Sequence, residues 1–542
     1  MLFNSYEFIF GFLPLTLAGF FVLGRFSRDA ALVWLIVASL LFYAWWRPLN
    51  VLIIAPSILI NFVIARALVR VAAESGRTVL ANILLAVGIV FNVCFLGYFK
   101  YANFLATAAN DLTGSHFVLT QIVLPLGISF ITFQKIAFLI DVHARRVKSF
   151  TLREYCLFVL FFPQLIAGPI VHFREMMPQF QQVACRFDLQ NMTVGLTLFV
   201  IGLFKKVVLA DGVSAYVAPV YDTAAHGTDI SLISAWVAAL GFTLQIYFDF
   251  SGYSDMALGL GRFVGVKLPP NFDSPLKASS IIDFWLRWHM TLTRFLTAYL
   301  YNPLVLALTR RRFAKGLPGV GPQGSSPGAF VQLLAGPTLL TMFVSGIWHG
   351  AGYTFILWGL LHGTYLTINH AWRNLVARRW KNKAAYARVM NPIGFVLTFV
   401  GVVFGMVLFR ATSVASALAI MRGMLGLKGV ELPQQLFEHL GSVVGALQPI
   451  ISISAGGDLR ETALALGWIG SLLVIALGLP NSLQLLARYE PALGIKAQAE
   501  PKARVRRLVW NPSVAWAAFS CVLVALAITA MGGKSEFLYW QF

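Results

Sequence analysis

The 542-residue sequence predicts an all-α, polytopic integral membrane protein, and three observations carry that prediction. Hydrophobic residues make up 58% of the chain and charged residues 12%, where soluble proteins are usually about a quarter charged. So little polar surface excludes an ordinary soluble globule, a disordered chain and a disulfide-rich secreted module. The apolar residues fall in runs near the ~20 residues that a spanning helix needs, and basic residues gather in short segments between the runs. One helical membrane body over 1–542 uses this length better than several soluble domains.

The elements follow in order. Met1–Glu7 carries no Lys or Arg and so lacks the basic opening of a cleavable signal. Residues 8–24 read as the first membrane helix, with the N-terminus periplasmic. Further runs lie at 31–46, 50–70, 79–99, 117–141, 153–171, 191–211, 230–248, 329–347, 351–371, 391–411, 460–479 and 513–531. They give about eleven to thirteen membrane helices, the shorter runs being re-entrant or interfacial. Five basic clusters are expected on the cytoplasmic side of the membrane: Arg66/Arg70/Arg77, Arg145/Arg146/Lys148, Arg310/Arg311/Arg312/Lys315, Arg373/Arg378/Arg379/Lys381/Lys383 and Lys496/Lys502/Arg504/Arg506/Arg507. Residues 310–328 form a basic loop that becomes Gly/Pro-rich from 316. Residues 428–458 set Glu431, Glu438 and Asp458 against Lys428, which suits a periplasmic loop.

Residues 249–303 break the pattern. Asp249, Asp255, Arg262, Lys267, Asp273, Lys277, Asp283, Arg287, His289 and Arg294 stand among aromatic and aliphatic residues. The stretch is too polar for lipid and too apolar for a free loop, so it reads as a central layer of short re-entrant helices. Such backbone persists at depth only inside protein or beside a water-filled cavity, and ionisable groups there point to function.

The balance of 42 basic against 22 acidic residues, +20, reads as positive-inside bias and contact with anionic membrane lipid. Nucleic acid is not expected, because few aromatic residues lie among the basic ones. Cys94, Cys156, Cys185 and Cys521 form no CxxC pair, so neither a disulfide framework nor a zinc site follows. HExxH and P-loop patterns are absent. The GxSxG match at 324–328 has no preceding strand and reads as chance. The nine histidines are dispersed, with no metal-ligand spacing.

His349 sits in Ser345-Gly346-Ile347-Trp348-His349-Gly350, between two apolar runs. The glycines let helices approach and leave room beside the imidazole. A neutral imidazole there can take a proton from an attacking hydroxyl; it can equally be a core histidine bonded between helices. His362 follows thirteen residues on, about 20 Å along a continuous helix, and reads as structural, as does His370. Asp283-Phe284-Trp285-Leu286-Arg287-Trp288-His289 sets Arg287 and His289 in an aromatic frame that suits a thioester or pyrophosphate path, or a polar network fixing a re-entrant helix. Asp249, Tyr253 and Asp255 read as scaffolding more than acid–base groups. Phe162-Pro163-Gln164 breaks a helix and turns Gln164 inward. His116, His143, His172, His226 and His439 take no assigned role.

In combination these motifs resemble the membrane-bound O-acyltransferase family, in its bacterial alginate O-acetyltransferase branch. The resemblance is carried by FFPQLIAGPI at 161–170, YFDFSGYSDMALGLGRFVG at 247–265 and LPPNFDSPL at 268–276. It continues in DFWLRWHMTLTRFLTAYLYNPL at 283–304, GIWHGAGYTFILWGLLHG at 346–363 and FLYWQF at 537–542. It departs in Phe295-Leu296-Thr297-Ala298-Tyr299, in the 310–328 loop and in the basic 488–507 tail. The resemblance implies a ring of membrane helices around a thin centre with a tunnel. It makes His349 the catalytic histidine and places His289, with Arg287, Trp288 and Trp348, on the donor path, while Asp249, Tyr253, Asp255 and Gln164 support the substrate-binding centre. It implies no bound cofactor or metal. The cosubstrate is acetyl-CoA or another acyl thioester on the cytoplasmic side, and the acceptor is an exported polysaccharide, in some cases reached through a periplasmic SGNH-type acetyltransferase partner. D-alanyl transfer from a carrier protein keeps the fold and changes the cargo; a transporter or flippase is the non-enzymatic alternative.

Overall fold

The longest apolar stretches fold as the longest helices. A computed structural model describes residues 1–73, 78–115, 122–319, 326–449, 452–497, 508–532 and 538. His116, Arg77, Lys502, Arg504, Arg506, Arg507, Gly324, Ser325 and all of the closing 537–542 motif except Leu538 lie outside the described residues. Among the described residues, eight helices are long and apolar enough to cross a membrane: Glu7–Phe26, Leu49–Val71, Thr78–Thr113, Leu189–Ala225, Leu232–Phe263, Pro327–His349, Lys383–Arg410 and Leu459–Gly478. The chain is thus a multi-pass helical membrane protein. The eight fall short of the eleven to thirteen expected because several runs give shorter helices: Arg28–Ala44 has 17 residues, Ile128–His143 16 and Val514–Ala530 17. The 153–171 run divides at Phe161 into Leu152–Leu160 and Phe162–Leu165.

Side-chain caps start many of these helices by satisfying their first backbone N–H groups. Thr151 and Glu154 form a reciprocal capping box, Asp188 accepts from the Asn191 N–H at 2.6 Å, and Ser280 accepts from the Asp283 N–H at 3.2 Å.

Leu232–Phe263 is the axis of the molecule, buried on nearly every side from Ala235 onward. A helix enclosed all round needs no polar face. It packs on Leu189–Phe204 through glycines spaced seven apart on both helices. A Cβ on Gly252 would lie 2.7 Å from the Gly202 oxygen, and one on Gly195 would lie 2.8 Å from the Gly259 oxygen. Only glycine permits that approach.

This helix also corrects the expected start of the re-entrant layer. Residues 249–263 continue Leu232–Phe263 without a break, and short elements begin only after Val264: Pro275–Lys277, Ile281–Trp285 and Met290–Leu296. The carboxylates are tolerated inside the helix because cations from the Leu189–Ala225 stretch meet them. Lys206 Nζ lies 2.7 Å from both Asp249 and Asp211, and Lys205 Nζ lies 2.6 Å from Asp255. Asp255 also accepts from the Ser482 hydroxyl at 2.8 Å.

Two other expectations change. Residues 310–314 finish the Asn302–Ala314 helix, and Arg312 folds back to donate to Pro318 O and Gln332. Residues 428–458 hold a two-stranded parallel sheet, Val430–Leu432 with Ile453–Ala455, and the helices Gln434–His439 and Gly441–Leu447.

Basic segments that are distant in sequence share one end of the bundle. Arg66 donates to Phe150 O at 3.4 Å, beside Arg146, which pairs with Asp141 at 3.1 Å. Arg174 reaches the same Asp141 at 3.6 Å, and its neighbour Glu175 holds Arg294. At that end Lys267 hydrogen-bonds Glu490 and holds its carboxyl below the usual carboxylate range. At the opposite end, Tyr43 donates to Leu126 O at 2.9 Å, and Tyr101 donates to Ile347 O at 2.8 Å.

Candidate active site

His349 is the last residue of the Gly336–His349 helix. Gly350 and Gly352 are extended, and the chain returns antiparallel as Tyr353–Trp372. The two helices touch at glycines: a Cβ on Gly346 would lie 3.1 Å from the Gly359 Cα. This contact fixes the His349 imidazole in a wall of aromatic rings. Its centroid lies 5.1 Å from Trp358 and 5.2 Å from Phe409, both near-perpendicular, and 4.8 Å from Trp348.

His289 approaches from the short layer. It precedes the Met290–Leu296 helix and takes a left-handed backbone, φ 42°. Non-glycine residues seldom adopt this conformation outside sites that constrain them. Its ring is wholly buried and lies 6.4 Å from that of His349. Asn271 holds it there. The Asn271 Oδ1 faces His289 Nδ1 at 3.3 Å and accepts from the Thr291 hydroxyl at 2.5 Å and the Thr291 N–H at 3.3 Å. The Thr291 oxygen accepts in turn from the Ile170 N–H at 3.0 Å, which brings the Gly-Pro-Ile stretch against the site. Trp348 stacks on Phe133 at 5.0 Å, and Phe133 stacks on Phe295 at 4.4 Å.

One pocket touches this pair at His349, and another comes up to Met290 and Thr291, next to His289. One of about 210 Å³ is lined by His349, Trp348, Lys100, Phe130 and the segments Trp46–Arg47 and Val123–Ser129. It lies at the bundle end away from Arg66. A second, of about 610 Å³, is lined by Met290, Thr291, Arg294, Asn302 and Leu493–Ile495. It lies at the basic end, beside the Lys267–Glu490 pair. A third, of about 220 Å³, touches Trp285, Thr338, Thr341 and Met342. Thr338 is eleven residues before His349, about 16 Å back along the helix.

The structure therefore brings together His349, His289 and Trp348, and leaves the other expected residues nearby or apart. Trp288 stacks on Phe284 at 5.6 Å within the aromatic core. Arg287 is fastened to Asp283 at 2.8 Å and to Asp273 O at 3.5 Å, so its guanidinium serves the turn rather than the histidine pair. Gln164 donates to Phe158 O at 2.6 Å across the helix break, while Ile166 and Ala167 line the His349 pocket. Tyr253 stacks on Phe3 at 4.7 Å, and Asp249 and Asp255 are bound by lysines. Among the described residues no three His, Cys, Asp or Glu side chains converge as metal ligands would.

Sequence reasoning missed Asn271, Lys100 and the proximity of His362. Because the chain doubles back after His349, the wholly buried His362 ring packs 5.0 Å from Trp358, which also packs against His349 at 5.1 Å. Lys100 donates to Trp348 O and, at 3.1 Å, to His349 O, capping the Gly336–His349 helix. A lone lysine directly after an apolar run was the available signal.

Residues 79–317 match the family described as MBOAT, membrane-bound O-acyltransferase family. The chain is 38% identical over 461 residues to a peptidoglycan O-acetyltransferase of Helicobacter pylori, with 80% of this chain and 81% of that protein covered. It is 38% identical over 467 residues to a probable alginate O-acetylase of Pseudomonas aeruginosa, with 85% and 82% covered. A teichoic acid D-alanyltransferase of Streptococcus thermophilus is 32% identical over 250 residues, 46% of this chain and 57% of that protein.

Proposed function

The chain belongs to the membrane-bound O-acyltransferase family and is an acyltransferase, and on that premise we propose that it transfers acetyl groups from a cytoplasmic thioester, acetyl-CoA, to a hydroxyl of an exported polysaccharide. The observation that carries the reading is the His289–His349 pair, 6.4 Å apart, with one pocket lined by His349 and another, at the opposite end of the bundle, lined by Met290 and Thr291 next to His289. The positive-inside rule supports a cytoplasmic basic end, and with it an inner-membrane location and a periplasmic N-terminus. The larger pocket at the basic end receives the donor arm, and the His349 pocket receives the acceptor.

His349 takes the proton of the acceptor hydroxyl as its oxygen attacks the thioester carbonyl carbon. The tetrahedral adduct then collapses, the C–S bond breaks, and the thiolate leaves with the proton returned to sulfur. One ester forms, one thioester is consumed, and no redox change occurs. General base catalysis of this kind contributes about 10²–10⁴-fold. His289, held by Asn271, lines the path of the acyl group between the two pockets. The arrangement lets an acyl group cross while the charged donor stays behind, since neither CoA nor a polymer crosses lipid.

The test is thioester cleavage by purified protein in nanodiscs, with acetyl-labelled acetyl-CoA and an oligosaccharide acceptor. Wild type transfers label, and His349→Ala of matched thermal stability falls by about 10²-fold or more. Equal turnover in both removes His349 from the reaction. Esterification of the oligosaccharide by the protein alone dispenses with an SGNH-type relay; label moving only when such a partner is added requires one. The D-alanyltransferase relative supports a second reading, with a D-alanyl carrier protein as donor; transfer from that carrier and none from acetyl-CoA would select it.

A further inference from the structure

A groove away from the histidine pair has polar and apolar ends in the order of a membrane lipid. It has a volume of about 390 Å³ and runs between the Tyr353–Trp372 and Lys383–Arg410 helices, with Ser279, Ser280 and Ile281 as its floor. The second helix packs hard on that floor, since a Cβ on Gly394 would strike Ser279 O. The first helix starts beside His349 and runs 20 residues, about 30 Å, so Trp372 and Arg373 stand at the basic end of the bundle.

At that end the lining is Asn369, Trp372, Arg373, Tyr386 and Asn391. The Trp372 indole N–H donates to the Tyr386 hydroxyl at 2.8 Å, and Trp380 packs edge-on to Tyr386 at 5.4 Å. Trp and Tyr are the side chains that settle at headgroup depth. Further along, the lining turns to Tyr365, Leu397 and Gly401, and Ile368 and Leu397 are 61% and 67% exposed, as lipid-facing residues are. From Tyr386 to Gly401 is fifteen residues of one helix, about 22 Å. That is half the ~40–45 Å of a bilayer with its headgroups. The groove is thus one leaflet long, with donors at headgroup depth and apolar walls at chain depth.

Its charge selects among headgroups. Residues 365–401, which supply both helical walls, hold six Lys or Arg and no Asp or Glu. Asp283, beside the floor in sequence, is engaged by Arg287 at 2.8 Å and by the Ser279 N–H at 3.4 Å. A zwitterionic headgroup would bring a second positive charge into this field, whereas a phosphodiester of an uncharged alcohol brings the anion alone. We propose that the groove binds an anionic phospholipid of the phosphatidylglycerol type, its phosphate at Arg373 and the Tyr386 hydroxyl and one acyl chain along Leu397 and Gly401. This site is separate from the acyl-transfer reading and does not depend on it.

Native mass spectrometry of the full-length protein in detergent tests the site, with dioleoyl phosphatidylglycerol and dioleoyl phosphatidylcholine in equal amounts. Wild type retains one phosphatidylglycerol about fivefold more tightly than phosphatidylcholine, the contribution of one basic side chain near an anionic surface. Arg373→Gln loses most of that preference, Arg373→Lys keeps part of it, and Lys315→Gln, outside the groove, keeps all of it. Gly401→Leu fills the apolar end and weakens both lipids alike. Equal retention of the two lipids by wild type, or an undiminished preference in Arg373→Gln, would overturn the site. So would an equal loss in Lys315→Gln, which would make the preference one of overall charge. Displacement of the lipid by glycerol 3-phosphate would also overturn it, by reducing the groove to a site for soluble anions.

Discussion

At the residue scale, the site depends on a few polar side chains inside an aromatic wall. Asn271 ties several of them together: it faces His289, accepts twice from Thr291 and shares a 3.4 Å contact with Ser254. Asn271→Ala leaves buried donors unpaired, at about 1–3 kcal/mol, and frees the His289 ring. We expect transfer to fall further than the thermal midpoint predicts, with Asn271→Asp restoring part of the rate by supplying the same acceptor. A rate unchanged in Asn271→Ala would dissociate His289 from the path. His349 was legible in the sequence because its glycine neighbours and its position between apolar runs are local. Asn271 and Lys100 were not, because their contacts join residues 18 and 249 positions apart and obey no spacing rule.

At the element scale, the structure depends on close helix contacts and on ion pairs that cross between helices. A side chain at Gly346 would strike Phe355 O and the Gly359 backbone. Gly346→Val should cost about 1–3 kcal/mol by overpacking and displace His349 three residues later, reducing transfer more than expression in the membrane. The Lys206–Asp249 pair is only 2% and 1% exposed. Breaking a buried pair on one side costs about 3–5 kcal/mol, so Lys206→Met should shorten the lifetime of the solubilised protein, and Lys206→Met with Asp249→Asn should recover part of it. Thermal unfolding followed by tryptophan fluorescence checks both. These pairs also explain why the expected break at 249 falls after 263: the carboxylates are visible in the sequence, but their cations belong to another helix. The apolar runs themselves were legible, whereas their division into eight long helices and several short ones depends on Pro and Gly positions and on packing partners.

At the scale of the whole molecule, the basic segments share one end and the His349 pocket lies at the other, while the pocket at the basic end is lined by Met290 and Thr291, next to His289. The charge pattern along the sequence made this division readable, while the meeting of His289 and His349 depends on a turn and a left-handed residue that composition does not reveal. The central claim is that an acyl group passes between the two faces at this pair. Proteoliposomes with the basic end outward test it most directly: acetyl-labelled acetyl-CoA is added outside, an oligosaccharide acceptor is sealed inside, and labelled ester is measured in the lumen. The account predicts labelled luminal ester with wild type, none with His349→Ala, and the unlabelled CoA thiol released outside. Ester formed only when donor and acceptor share one side of the membrane would contradict it.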